Sequence, residues 1–137
     1  MTHAISKVLS PNDTGETGAH QAGILVPKDS EILGFFPTLP ADVKNPRMHL
    51  YFRDDEGAQW EFAFIYYNNR FFGGTRNEYR LTRMTPYING NGLKAGDELI
   101  LERHPGGART VTFRRSRAPV VEEGVLRLGS GWKIVAA

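Results

Sequence analysis

The sequence predicts a single mainly β domain with one or two short helices, wound into an open or closed barrel of about seven strands. Three observations carry this expectation. Fifteen glycines and eight prolines in 137 residues divide the chain into short segments rather than long helical runs. Residues 47–67 alternate apolar and polar with the period of half-buried strands. Many short strands in one small domain would also leave exposed edges unless the sheet closed on itself. A chain of this length can bury one sizeable core and is too short for two ordinary domains, so residues 1–137 are read as one unit.

Taken in order, Ala4 to Leu9 reads as a short strand, and Ser10 to Ala19, polar with two glycines, as a loop. Gly23 to Pro27 is a buried strand. Asp29 then caps a helix that runs through Ile32, Leu33 and Phe36 and stops at Pro37. Pro37 to Pro46 connects it to a strand at Arg47 to Arg53, where Met48, Leu50 and Phe52 alternate with Arg47, His49, Tyr51 and Arg53. Asp54 to Gly57 turns the chain, and Gln59 to Tyr67 returns it with Trp60, Phe62, Phe64 and Tyr66 on one face, completing a hairpin. Asn68 to Arg70 and Gly73-Gly74 interrupt the chain before a short strand at about Tyr79 to Arg83. After the turn-rich Pro86 to Gly92, Leu93-Lys-Ala-Gly-Asp-Glu-Leu-Ile100 leads from a turn into a strand ending near Glu102. Pro105-Gly-Gly107 closes a hairpin onto Ala108 to Arg115. Val125 to Leu128 and Trp132 to Val135 are two last short strands, or one strand and a tail.

Composition excludes several classes. Forty per cent hydrophobic and 23% charged residues describe a folding globular chain, not a disordered one. The absence of cysteine removes disulfides and thiolate metal sites. Met1 to Leu9 has no leader-like pattern, and no stretch approaches the roughly 18 apolar residues of a membrane span, so a cytoplasmic location and no membrane partner are expected. Histidines 3, 20, 49 and 104 lack metal-ligand spacing, and no serine sits in a nucleophile-elbow context. Asp29 with Asp42-Val-Lys44 matches a metal-dependent nuclease motif in letters only, because Asp42 lies in the connection between Pro40 and Pro46 rather than on a strand. The expectation is a domain with no catalytic residues and no cofactor of its own.

Charge distribution is more informative than the net charge of +2. Twelve of the 17 basic residues are arginines, concentrated at positions 70, 76, 80 and 83 and again at 103, 109, 114, 115 and 117. Arginine suits planar, bidentate recognition of phosphate or guanine. Read plainly, Lys7 to Gln21 is a surface loop and Tyr66 to Arg83 an irregular hairpin with solvated arginines. The second segment also supports a sharper reading. In an extended chain Arg76, Glu78 and Arg80 share one face. Arginine pairs with the two major-groove acceptors of guanine and glutamate accepts from the cytosine amine, so such a row reads G and C.

Lys7-Val-Leu-Ser-Pro-Asn-Asp-Thr-Gly-Glu-Thr-Gly-Ala-His-Gln21 resembles the first recognition arm of the N-terminal effector domain of EcoRII-type restriction endonucleases. Tyr66-Tyr-Asn-Asn-Arg-Phe-Phe-Gly-Gly-Thr-Arg-Asn-Glu-Tyr-Arg-Leu-Thr-Arg83 is similar to that family's second arm, and the two together cover about a quarter of the chain. The resemblance implies a DNA-binding pseudobarrel shared with plant transcription factors, gripping double-stranded DNA through two arms in the major groove at a CC(A/T)GG-type site. Carried over by position, Lys7, Asn12, Asp13, His20 and Gln21 belong to the first arm. Arg76, Asn77, Glu78, Arg80 and Arg83 belong to the second, with Arg70 near the DNA backbone. Gly74 and Tyr79 stand where a relative carries basic residues, which removes or moves one contact. Arginines 103 to 117 are candidates for phosphate contacts peculiar to this protein. The implied partners are duplex DNA and a covalently linked nuclease domain in a larger parent enzyme, and Mg2+ is expected only for that separate domain. Two alternatives stay open: a complete small Mg-dependent nuclease, and a β-barrel that binds a protein or small ligand.

Overall fold

The computed structural model describes residues 2–15, 23–116 and 131–135. Among them eight strands form one sheet: β1 (His3–Val8), β2 (Ile24–Val26), β3 (Arg47–Arg53), β4 (Gln59–Tyr67), β5 (Glu78–Thr82), β6 (Glu98–Arg103), β7 (Arg109–Arg114) and β8 (Trp132–Ile134). Three short helices accompany them, α1 (Pro11–Thr14), α2 (Ser30–Leu33) and α3 (Thr85–Gly90), with a 3-10 turn at Asn69–Phe72. The mainly β barrel expectation holds, with eight strands rather than about seven. Val125 to Leu128, expected as a strand, lies outside the described residues.

The sheet order is β2-β5-β4-β3-β7-β6-β1-β8. Neighbours are antiparallel except β3 and β7, which meet in parallel at one pair, Arg53 with Thr110. That pair is a seam. On one side lie β2 to β5, from a continuous stretch of chain; on the other β6 and β7 combine with β1 and β8 from its two ends. The sheet curls until its outer strands approach, and the indole Nε1 of Trp132 on β8 donates to the Leu25 carbonyl on β2 at 2.9 Å. Curling shields edges that would otherwise offer unpaired backbone groups.

The β3–β4 hairpin forms as its alternation requires, with Leu50, Phe52, Phe62 and Phe64 buried. Met48 differs from expectation: it lies at the start of β3 and is exposed. Asp54 organises the turn, accepting from Glu56 and Ala58 backbone N–H groups and from the Trp60 indole. Asp29 caps α2 as expected, but the helix is one turn long. Phe35 N–H and Phe36 N–H bond back three residues, to Ile32 and Leu33, so the chain tightens and places both rings in the core. Two segments read as turn or loop contain helix. Pro86 near the start of α3 has no N–H to lose, and Tyr87 and Ile88 face the core. α1 is capped by Ser10.

Candidate nucleic-acid interface

The first arm leaves the sheet at Lys7 and Val8. Ser10 accepts from the Asp13 backbone N–H, and the Asp13 carboxylate accepts from Ser10 N–H, a reciprocal capping box around one helical turn. The same carboxylate receives the Lys7 ammonium at 2.7 Å, both side chains being buried. Lys7 also donates to the Val8 carbonyl, so two of its three donors serve the protein itself. Asn12 is exposed on the turn. His20 and Gln21 lie outside the described residues. The chain rejoins the sheet at Gly23, whose φ of +93° and 2.6 Å approach of a Cβ to the Leu81 carbonyl leave room for glycine alone.

The second arm is rooted by Asn68, which is fully buried. Its amide nitrogen donates to the Ala41 and Val43 carbonyls at 3.2 and 2.8 Å, and its oxygen accepts from Asn45 N–H at 2.7 Å. Asn69 ties the loop to itself, taking Arg76 N–H on its side-chain oxygen and Gly74 N–H on its carbonyl. Arg70 N–H donates to the Arg76 carbonyl. Arg70 itself is exposed, as is Arg83, which follows β5 in the left-handed region at φ 64°.

Between these fixed points Arg76, Glu78 and Arg80 come together as the period of an extended strand requires. Arg76 Nη2 lies 2.8 Å and Arg80 Nε 2.5 Å from the same Glu78 oxygen, Oε2. Arg80 Nη1 reaches across to the Gly23 carbonyl at 3.0 Å, and the Arg76 guanidinium stacks 3.9 Å over the Tyr67 ring. Burial pushes the Glu78 carboxyl up, but hydrogen bonds and charge from both arginines outweigh it and hold the group below its ordinary 4.5. The row therefore carries two cations and one ionised acid near neutral pH. Asn77 accepts from the Tyr66 hydroxyl at 2.8 Å. Tyr79 stacks on Tyr66 with ring centres 4.2 Å apart, and burial, with Tyr66 beside it, raises its phenol above 10.0. The two arms meet at their bases: Lys7, Ser10, Asn12, Asp13, Leu25 and Arg80 line a hollow of about 270 Å³.

Sequence reasoning brought out the arginine row but not Asn68, whose partners are distant backbone groups, or Asn69, which binds within its own loop. Three of the C-terminal arginines, 103, 114 and 115, are engaged by the protein, whereas the Arg109 Nε is buried without a hydrogen-bond partner. Arg103 donates to the Gly34 and Phe35 carbonyls, Arg114 to Glu98, and Arg115 to the Asn91 and Gly92 carbonyls. Arg117 lies outside the described residues. Asp29 is occupied as a helix cap and Asp42 sits exposed in a connection. Among the described residues no group of three or more His, Asp or Glu is placed to hold a metal ion, and no helix is long and apolar enough to cross a membrane.

Residues 2–97 match the family model described as restriction endonuclease EcoRII, N-terminal. The type II restriction enzyme EcoRII of Escherichia coli is 41% identical over 98 residues, which are 69% of this chain and 24% of that enzyme. The chain thus spans about a quarter of that relative's length. Auxin response factor 17 of Arabidopsis thaliana is 30% identical over 114 residues, 81% of this chain and 17% of the plant protein. Among solved structures, the Arabidopsis FUS3–DNA complex superposes with a TM-score of 0.63 at 19% identity, covering 82% of this chain and 96% of that one. That likeness establishes the pseudobarrel fold.

Proposed function

The chain belongs to the family of EcoRII N-terminal domains, and from that premise we propose that it is a sequence-specific reader of double-stranded DNA. The observation that carries the proposal is the row Arg76–Glu78–Arg80, held at the start of β5 by contacts at both ends. A guanidinium has five donors, and Arg80 spends only two on Glu78 and Gly23, which leaves donors for guanine O6 and N7. Both arginines use Glu78 Oε2, so Oε1 is the acceptor for a cytosine amine. Recognition of neighbouring G and C fits a CC(A/T)GG-type site entered from the major groove.

In this reading the first arm supplies Lys7, Asn12, His20 and Gln21, with Asp13 positioning Lys7. Asn77 supports the second arm, and Arg70 and Arg83 meet phosphates, which supply affinity without sequence. The domain recognises and does not cut. Cleavage and its Mg2+ belong to a covalently linked nuclease domain of a larger cytoplasmic enzyme, as the partial coverage of EcoRII supports.

The test is a titration of the purified chain with a CC(A/T)GG duplex and a scrambled duplex at two salt concentrations, with Mg2+ present. Selective binding that weakens as salt rises, without cleavage, is the expected result. Equal affinity for both duplexes overturns the specific reader, and nicked product overturns the assignment of cleavage to another domain.

A further inference from the structure

The tip of the second arm carries an apolar pair that the arginine row does not use. Phe71 is 63% and Phe72 43% exposed, whereas Phe35, Phe52, Phe62 and Phe64 are completely buried. An exposed pair of large aromatic side chains marks a contact surface. The backbone that presents it is fixed: Asn69 binds Arg76 N–H and Gly74 N–H, Arg70 N–H binds the Arg76 carbonyl, and buried Asn68 anchors the root. The two rings are therefore displayed by a rigid loop, with the ordering they need already in place before binding.

Their surroundings select the occupant. Along the chain Arg70 adjoins the pair, Arg76 follows the Gly73-Gly74 turn, and the next carboxylate, Glu78, is bound by two arginines. A cationic frame around an apolar tip suits a polyanion that exposes apolar groups between its charges. Duplex DNA has one such group in the major groove, the C5-methyl of thymine, and phenylalanine is among the side chains that contact it. We propose that Phe71, backed by Phe72, reads the C5-methyl of a thymine next to the G and C bases taken by Arg76, Glu78 and Arg80. The proposal rests on the DNA-reading function above and adds an apolar specificity determinant to it.

Selecting the preferred duplex from a random library, then replacing each of its thymines singly by deoxyuridine, tests this. Deoxyuridine removes one methyl and leaves the pairing intact. For the wild-type chain one replacement should weaken binding about 4-fold, the effect of one buried methyl group. The same replacement should leave Phe71→Ala unchanged, with Phe72→Ala intermediate. Both side chains are exposed, and a circular dichroism melt matching wild type shows that each variant folds. Selective binding with no deoxyuridine effect at any position overturns the thymine contact and leaves the DNA reader standing. So does a selected site without an A·T pair, or a deoxyuridine effect undiminished in both variants. Failure to enrich any duplex over scrambled DNA overturns the DNA reader itself.

Discussion

Glu78 shows how one acid organises a cationic surface. Arg76 and Arg80, each two residues from it, would repel each other, and their shared carboxylate offsets that repulsion by binding one donor of each. Arg80 is the better fixed of the two, being held also by the Gly23 carbonyl. Arg80→Ala should therefore cost about 1–3 kcal/mol on the preferred duplex and little on a scrambled one, as loss of a base contact requires. A uniform loss on both, measured by fluorescence anisotropy, would reassign Arg80 to phosphate. This row was legible in the sequence because a strand's side chains alternate, so spacing alone places residues 76, 78 and 80 together. The Lys7–Asp13 pair was not. Both residues stood out as first-arm candidates, but their pairing depends on a single turn of helix folding the chain back.

At the level of the element, the second arm is a loop made stiff by two asparagines. Buried Asn68 satisfies three backbone groups of the partly exposed connection before β3, and a smaller side chain would leave the Ala41 and Val43 carbonyls and Asn45 N–H without this partner. Asn68→Ala should lower unfolding free energy by about 1–3 kcal/mol, the scale of a few part-buried hydrogen bonds lost together. A change below about 0.5 kcal/mol in a urea titration would mean that water replaces the side chain at the arm's root. The sequence marks Asn68-Asn69 only as a break in strand patterning, and the backbone groups that Asn68 satisfies lie more than twenty residues away. Helix α3 escaped notice for a related reason. Thr85 to Gly90 has proline, asparagine and glycine in six residues, and burial of Tyr87 and Ile88 overrides their weak helix preference.

For the molecule as a whole, acid sensitivity follows from carboxylates that serve the fold. Asp97 is buried, and although burial pushes its carboxyl up, Ser116 and Lys94 N–H groups and Arg115 hold it below its ordinary 3.8. Glu78 and Glu98 lie below their ordinary 4.5 for the same balance of causes. Folded values below unfolded ones mean that the unfolded chain binds more protons in acid. Their stabilisation is complete above the ordinary values and disappears as pH falls through the folded ones. Thermal melts should be level from pH 7 to about 5 and fall below about 4.5, and Asp97→Asn should melt lower at pH 7 with a shallower decline. An unchanged decline in that variant would remove Asp97 from the cause. The mainly β class was legible from alternation and turns. Strand order was not, since β2 and β5 carry no mark of their pairing and the Trp132–Leu25 contact joins opposite ends of the chain. The seam at Arg53 and Thr110 has a consequence in time. The stretch containing β2 to β5 can assemble as it is synthesised, whereas β1, made before it, finds its partners only in β6 and β8, made after it. The start of the first arm is thus translated before β2 to β5 and set in place after them.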